Sequence, residues 1–157
     1  MEGYSSSRHA VYMLTYHMIF VTKWRKPVIS DEMGDFMVGV AGRLCNGYGG
    51  SLISGETDRD HIHLLVSLPP QVCVSDIVRN LKTQLSKEVH AHPEYSVHVQ
   101  QFLFGDAPFW SGSYFIATTG SVSMETVRAY IEGQRTTEHR RKYEKSSAYW
   151  QEKKSRS

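Results

Sequence analysis

The chain has 157 residues, of which 40% are hydrophobic and 22% charged, with a formal net charge of +2. That length and balance exclude a disordered, collagenous or disulfide-stapled chain and predict one self-sufficient domain over residues 1–157. Cys45 and Cys73 lack metal-ligand spacing and sit in apolar patterns, so buried free thiols in a reducing compartment are expected. No apolar run approaches the roughly 20 residues of a membrane span, and a cytoplasmic protein is expected.

After a polar arm, Val11 to Thr22 reads as a long strand rich in aromatic and β-branched residues, ended by Lys23-Trp24-Arg25-Lys26-Pro27. Ser30 followed by Asp31 and Glu32 predicts a capped helix start. Phe36, Met37, Val40, Ala41 and Leu44 recur at helical spacing, and Gly47-Tyr48-Gly49-Gly50 stops that helix. Ser51 to Glu56 reads as a strand, Thr57-Asp58-Arg59-Asp60 as a turn, and His61 to Leu68 as a second strand closed by Pro69-Pro70. Ser75 is the expected cap of a helix with the stripe Ile77, Val78, Leu81, Leu85 and Val89. Val97 to Phe104 and Trp110 to Thr119 read as two further strands. A last helix is expected at about 123–135, before a polar tail at about 138–157.

The order β-α-β-β-α-β-β-α predicts an α+β fold. Its two strand-helix-strand units joined by a hairpin resemble the ferredoxin-like split βαβ arrangement, an antiparallel sheet with helices on one face. The other sheet face is then left for solvent, nucleic acid or a second subunit.

Two motifs carry chemistry. In Asp60-His61-Ile62-His63 the alternation of a strand puts both imidazoles on one face, roughly 6.6 Å apart along the backbone, while Ile62, Leu64, Val66 and Leu68 point to the core. Two imidazoles so placed can lean onto one cation. As an isolated pattern, His-x-His more often marks two surface histidines. In Tyr130-Ile131-Glu132-Gly133-Gln134 the phenol and the amide lie four apart and share a helix face. A phenol is a weak nucleophile at neutral pH unless its target phosphate is polarised by a metal. Gln134 can supply a neutral oxygen to complete a three-ligand face with His61 and His63, a mixed set suited to Mg²⁺ or Mn²⁺. Taken alone, Tyr130 and Gln134 read as a packed aromatic and a solvated amide.

With these residues in place the chain resembles the single-tyrosine HUH transposases, which are encoded by insertion sequences that move as single-stranded DNA. The resemblance runs through Tyr16-His17-Met18-Ile19-Phe20-Val21-Thr22-Lys23-Trp24-Arg25, then Gly55-Glu56, then Asp60-His61-Ile62-His63-Leu64. It continues through Phe109-Trp110-Ser111-Gly112-Ser113-Tyr114-Phe115 to the helix of Tyr130 and Gln134. It implies that Tyr130 is the nucleophile, that His61, His63 and Gln134 hold the metal, and that cleavage leaves a 5′-phosphotyrosine and a free 3′-hydroxyl. It further implies single-stranded DNA with hairpin ends as substrate, no nucleotide cofactor, and a homodimer in which one tyrosine helix completes the partner's metal site. Gly120, between the last strand and that helix, is the expected hinge for such an exchange.

For DNA contacts the basic runs nominate Lys23 and Arg25 beside Trp24, Arg79 and Lys82 on the second helix, and the group Arg135, Arg140, Arg141 and Lys142. Each such run is by itself more often a solvated face. Two alternatives accompany this reading. One is a non-catalytic nucleic-acid-binding module on the same sheet, although the aromatic run of an RNA reader is missing. The other is a domesticated REP-associated tyrosine transposase.

Overall fold

The structure, a computed structural model, describes residues 4–119 and 130–133. A short ribbon pairs β1 (Ser5–Ser6) with β2 (Val11–Tyr12), and the chain then enters β3 (Thr15–Thr22). Next come α1 (Asp31–Gly47), β4 (Ser51–Asp58), β5 (His61–Ser67), α2 (Val74–Ala91), α3 (Pro93–Gln100) and β6 (Trp110–Thr118). The main sheet has the order β4-β5-β3-β6 with every neighbouring pair antiparallel. β3-α1-β4 and β5-α2-α3-β6 are thus two crossover units, each with a strand of the other inserted between its own two. This is the split βαβ topology expected from the sequence. Among the described residues no helix is long and apolar enough to cross a membrane.

The core lies between the sheet and the helices. Met18 and Phe20 of β3 and Ile62, Leu64 and Val66 of β5 meet Met33, Met37, Val40 and Ala41 of α1 and Ile77, Val78, Leu81 and Leu85 of α2. Local chemistry sets each helix. The Ser30 hydroxyl accepts from the Met33 amide at 3.2 Å, and Asp31 and Glu32 occupy the first turn of α1, where acids suit the dipole. Close approach of α1 to β4 depends on Gly34, where an added Cβ would collide with the Thr57 side chain.

Four expectations change. Val97 to Phe104 is not a strand: residues Pro93–Gln100 are helical, with His92 accepting from the Tyr95 amide at 3.5 Å and Pro93 in the first turn. Val97 and Val99 suggest alternation, but two residues turn about 200° on a helix. Accordingly, Val99 is buried while Val97 is 62% exposed. The correction removes a surplus strand and leaves the four that the topology needs. The strand over Val11–Thr22 is interrupted, its first two residues pairing with the N-terminal arm instead of the sheet. The second helix starts two residues earlier than expected, with Cys73 in place of Ser75 at its cap position and no side-chain bond there. Cys73 is exposed, because it lies in that cap turn outside the apolar stripe; Cys45 is buried, which pushes its thiol up to about 11.

Candidate active site

β5 alternates without a break: Ile62, Leu64 and Val66 are buried toward the helices, and His61 and His63 emerge half-buried on the opposite face. Register then decides their neighbours. His61 stands opposite Val21 on β3 and Asp58 on β4; His63 stands opposite Ile19 and Glu56. Cross-strand partners share a face, so the imidazoles lie one strand, roughly 4.8 Å, from the aliphatic pair Ile19 and Val21.

Both rings are held by specific partners. Nδ1 of His61 lies 2.9 Å from Oδ1 of Asp60, and the other carboxylate oxygen is 2.7 Å from Nη2 of Arg25. Burial acts to raise the Asp60 carboxyl, but the His61 bond and the Arg25 charge outweigh it and hold the group below its usual range. A neutral His61 that donates from Nδ1 to this carboxylate keeps its Nε2 lone pair for a cation, the carboxylate–histidine arrangement common behind metal ligands. Nε2 of His63 is 2.8 Å from Nδ1 of His17, with ring centroids 5.1 Å apart. Burial, then the adjacent His17, lowers the His63 pKa against an opposing pull from Glu56. That favours the neutral imidazole, the only form able to bind a metal. Among the described residues no group of three or more His, Cys, Asp or Glu side chains gathers as a metal site.

Residues 130–133 are helical and cover this same sheet face. Tyr130 and Ile131 pack on Ile19, Val21 and Phe115, with the Tyr130 ring 4.8 Å from that of Phe115. The segment is tied down by Arg25, whose Nη1 donates to the Ile131 carbonyl at 2.7 Å. The histidine pair and the Tyr130 segment thus share one face of the chain's own sheet. Gln134, Gly120 and the rest of the helix expected at 123–135 lie outside the described residues, as do Arg135, Arg140, Arg141 and Lys142.

The basic residues nominated for DNA part ways. Arg25 does not face outward: its side chain is 6% exposed and engaged by Asp60 and Ile131, because the Lys23–Arg25 corner turns it inward. Lys23 stands 5.4 Å over the Trp24 ring. Lys82 donates to the Ser111 carbonyl at 2.8 Å, and burial lowers its pKa. Arg79 is exposed and bonded to Asp76 at 2.8 Å, an i,i+3 pair worth little in water. Lys23, Lys82 and Lys87 line an open groove of about 520 Å³ whose floor includes Phe109 and Trp110, a mixture of cations and aromatics suited to a nucleic-acid strand.

Sequence reasoning missed the roles of His17 and Asp60. His17 alternates with Ile19 and Val21, so the period-2 pattern already placed it on the histidine face. Asp60 directly precedes His61, and a carboxylate next to a candidate ligand is a natural orienting group.

The profile of the IS200-like transposases matches residues 10–134. The ISDra2 transposase TnpA of Deinococcus radiodurans is 31% identical over 132 residues, covering 83% of this chain and 91% of that protein. The transposase for insertion sequence element IS200 of Salmonella typhimurium is 25% identical over 134 residues, covering 85% of each. A crystal structure from Deinococcus radiodurans R1, of a protein described as a transposase, superposes with a TM-score of 0.71 at 27% identity. It covers 83% of this chain and 97% of that one.

Proposed function

Because the chain belongs to the family of IS200-like transposases, we propose that it is a metal-dependent single-stranded DNA endonuclease and strand transferase with Tyr130 as nucleophile. The observation that carries this reading is the shared sheet face of His61, His63 and the Tyr130 segment. Two contacts bear on a cation: the Asp60 bond at Nδ1 leaves Nε2 of His61 for the ion, and burial favours the neutral form of His63, whose Nε2 would exchange its bond to His17 for the ion.

His61 and His63, with Gln134 as the third ligand, would hold Mg²⁺ or Mn²⁺. That ion would polarise the scissile phosphate and stabilise charge on its oxygens. The Tyr130 oxygen attacks phosphorus as its proton is lost, and the bond from phosphorus to the preceding 3′-oxygen breaks. The products are a 5′-phosphotyrosine and a free 3′-hydroxyl. One phosphodiester replaces another, so no nucleotide cofactor is consumed, and attack by a 3′-hydroxyl on the phosphotyrosine rejoins the strand. Packing of Tyr130 against Phe115, Ile19 and Val21 limits the positions of its ring. The groove lined by Lys23, Lys82 and Lys87 offers a cationic and aromatic track for a single strand.

The substrate proposed is single-stranded DNA with a hairpin at each element end. The working assembly proposed is a homodimer in which Gly120 is the hinge that lets the tyrosine helix exchange between its own sheet face, where residues 130–133 pack in this structure, and the partner's metal site.

The test is cleavage of a labelled hairpin taken from the DNA flanking the gene, with Mg²⁺ or Mn²⁺, by wild type and Tyr130→Phe. A covalent protein–DNA adduct from wild type alone is expected. Hairpin binding by both proteins with no adduct from either would replace the enzyme by a binding module.

A further inference from the structure

Arg25 sits in an unusual stretch of backbone. It and Trp24 both have left-handed φ angles, 55° and 56°, which side chains other than glycine seldom adopt. The corner is held there from both sides. The Thr22 amide donates to the Asp60 carbonyl at 2.9 Å, the Thr22 hydroxyl lies 2.8 Å from the Lys26 carbonyl, and the Lys23 amide donates to the Phe109 carbonyl at 2.9 Å. This turns the Arg25 side chain inward against the histidine face.

Its guanidinium then serves two partners at once. Nη2 meets Oδ2 of Asp60 at 2.7 Å, and Nη1 donates to the Ile131 carbonyl at 2.7 Å. Asp60 in turn bonds Nδ1 of His61 through its other oxygen at 2.9 Å. Nε of Arg25 is buried with no hydrogen-bond partner among the described residues, so the group is placed for its two terminal contacts and not for its own full satisfaction. An unbroken line of polar contacts thus runs from the His61 ring to the carbonyl next to Tyr130. Only a planar fork spans both ends; an ammonium is a point charge and reaches one.

We propose that Arg25 is a positioning residue for DNA cleavage: through Asp60 it fixes His61 with Nε2 outward, and through the Ile131 carbonyl it docks the Tyr130 segment. Metal ligand and nucleophile are then set by one guanidinium. The inference rests on the roles given to His61 and Tyr130 above, and two of its three readouts need neither metal nor DNA.

The experiment compares the full chain with Arg25→Lys and Arg25→Gln. It measures hydrogen exchange of the peptide covering 130–133, the ¹⁵N shifts of the His61 ring, and single-turnover adduct formation beside hairpin affinity. Arg25→Lys keeps a cation against Asp60, so His61 retains its tautomer while exchange over 130–133 rises roughly tenfold or more. Arg25→Gln loosens the segment and also shifts the His61 tautomer balance. In both variants adduct formation slows roughly ten- to a hundredfold, a span usual for orienting groups, with hairpin affinity within about twofold. Wild-type exchange, ring shifts and adduct rate in a folded Arg25→Gln protein overturn the proposal. Should that variant fail to fold, unchanged exchange over 130–133 in Arg25→Lys overturns it equally. A wild type that forms no adduct while exchange and ring shifts respond as expected counts against the Tyr130 mechanism and supports the positioning role.

Discussion

The two faces of the sheet are built on opposite principles. The helix-covered face is closed by α1 and α2 over side chains such as Met18, Phe20, Ile62 and Leu64, all fully buried and apolar. The other face has a narrow aliphatic strip, Ile19 and Val21, covered by the short Tyr130 segment and bordered by His17, His61 and His63. The first face supplies the stability, since burial of large apolar side chains dominates folding. The second can then afford polar groups whose orientations matter more than their energies. The candidate site lies where the cover is thin.

Substitutions on each face sharpen this contrast. Phe20→Ala, in the helix-covered core, is expected to cost about 4 kcal/mol in denaturant unfolding. Ile19→Ala, equally buried but under the short segment, is expected near the low end of the range for such changes, about 2 kcal/mol, with faster exchange over 130–133. A loss as large as that of Phe20→Ala would mean the two faces are equally structural. Breaking the Arg25–Asp60 pair with Asp60→Asn should cost about 3 kcal/mol at neutral pH, because the remaining guanidinium stays buried.

That third difference has a defined pH dependence. The folded carboxyl of Asp60 titrates below its usual 3.8. Its contribution is therefore complete above the unfolded value and is lost as pH falls through the folded one. The gap between wild type and Asp60→Asn should close on acidification below roughly pH 4, measured by urea unfolding. A gap independent of pH would show that shape, not charge, holds the corner. His63→Ala is expected to cost only about 1 kcal/mol in stability, the worth of one hydrogen bond, yet to abolish adduct formation.

The smallest effect concerns the thiols. Cys73 should alkylate readily in the folded protein, while Cys45, buried and raised from 9.0 to about 11, should react only on unfolding. A thiol that ionises less easily when folded destabilises the fold as pH climbs past the unfolded value, so stability should decline above about pH 9.

Much of the candidate site was readable because strand alternation is strict. Once Ile62, Leu64 and Val66 are taken as core, His61 and His63 must face the other way, and the structure places them there. The helix-start signal at Ser30 was equally local and holds. Val97 to Phe104 was misread because a two-residue spacing of valines fits a strand and also fits opposite sides of a helix. The start signal of His92 and Pro93 decided in favour of the helix. Arg25 was misread because a cation beside a tryptophan in a loop looks exposed. Its inward turn depends on hydrogen bonds to Asp60 and Phe109, which are far away in the chain.

Local patterning was enough to indicate the split βαβ class and the face on which the histidines emerge. These follow from periodicity and local propensity, which act over a few residues. Long-range packing sets the rest: Asp60 bonds His61, His17 abuts His63, and Arg25 joins the histidine turn to the segment of Tyr130. Those contacts arise from strand register and a left-handed corner pinned by distant carbonyls, and neither is written in the spacing of neighbouring residues.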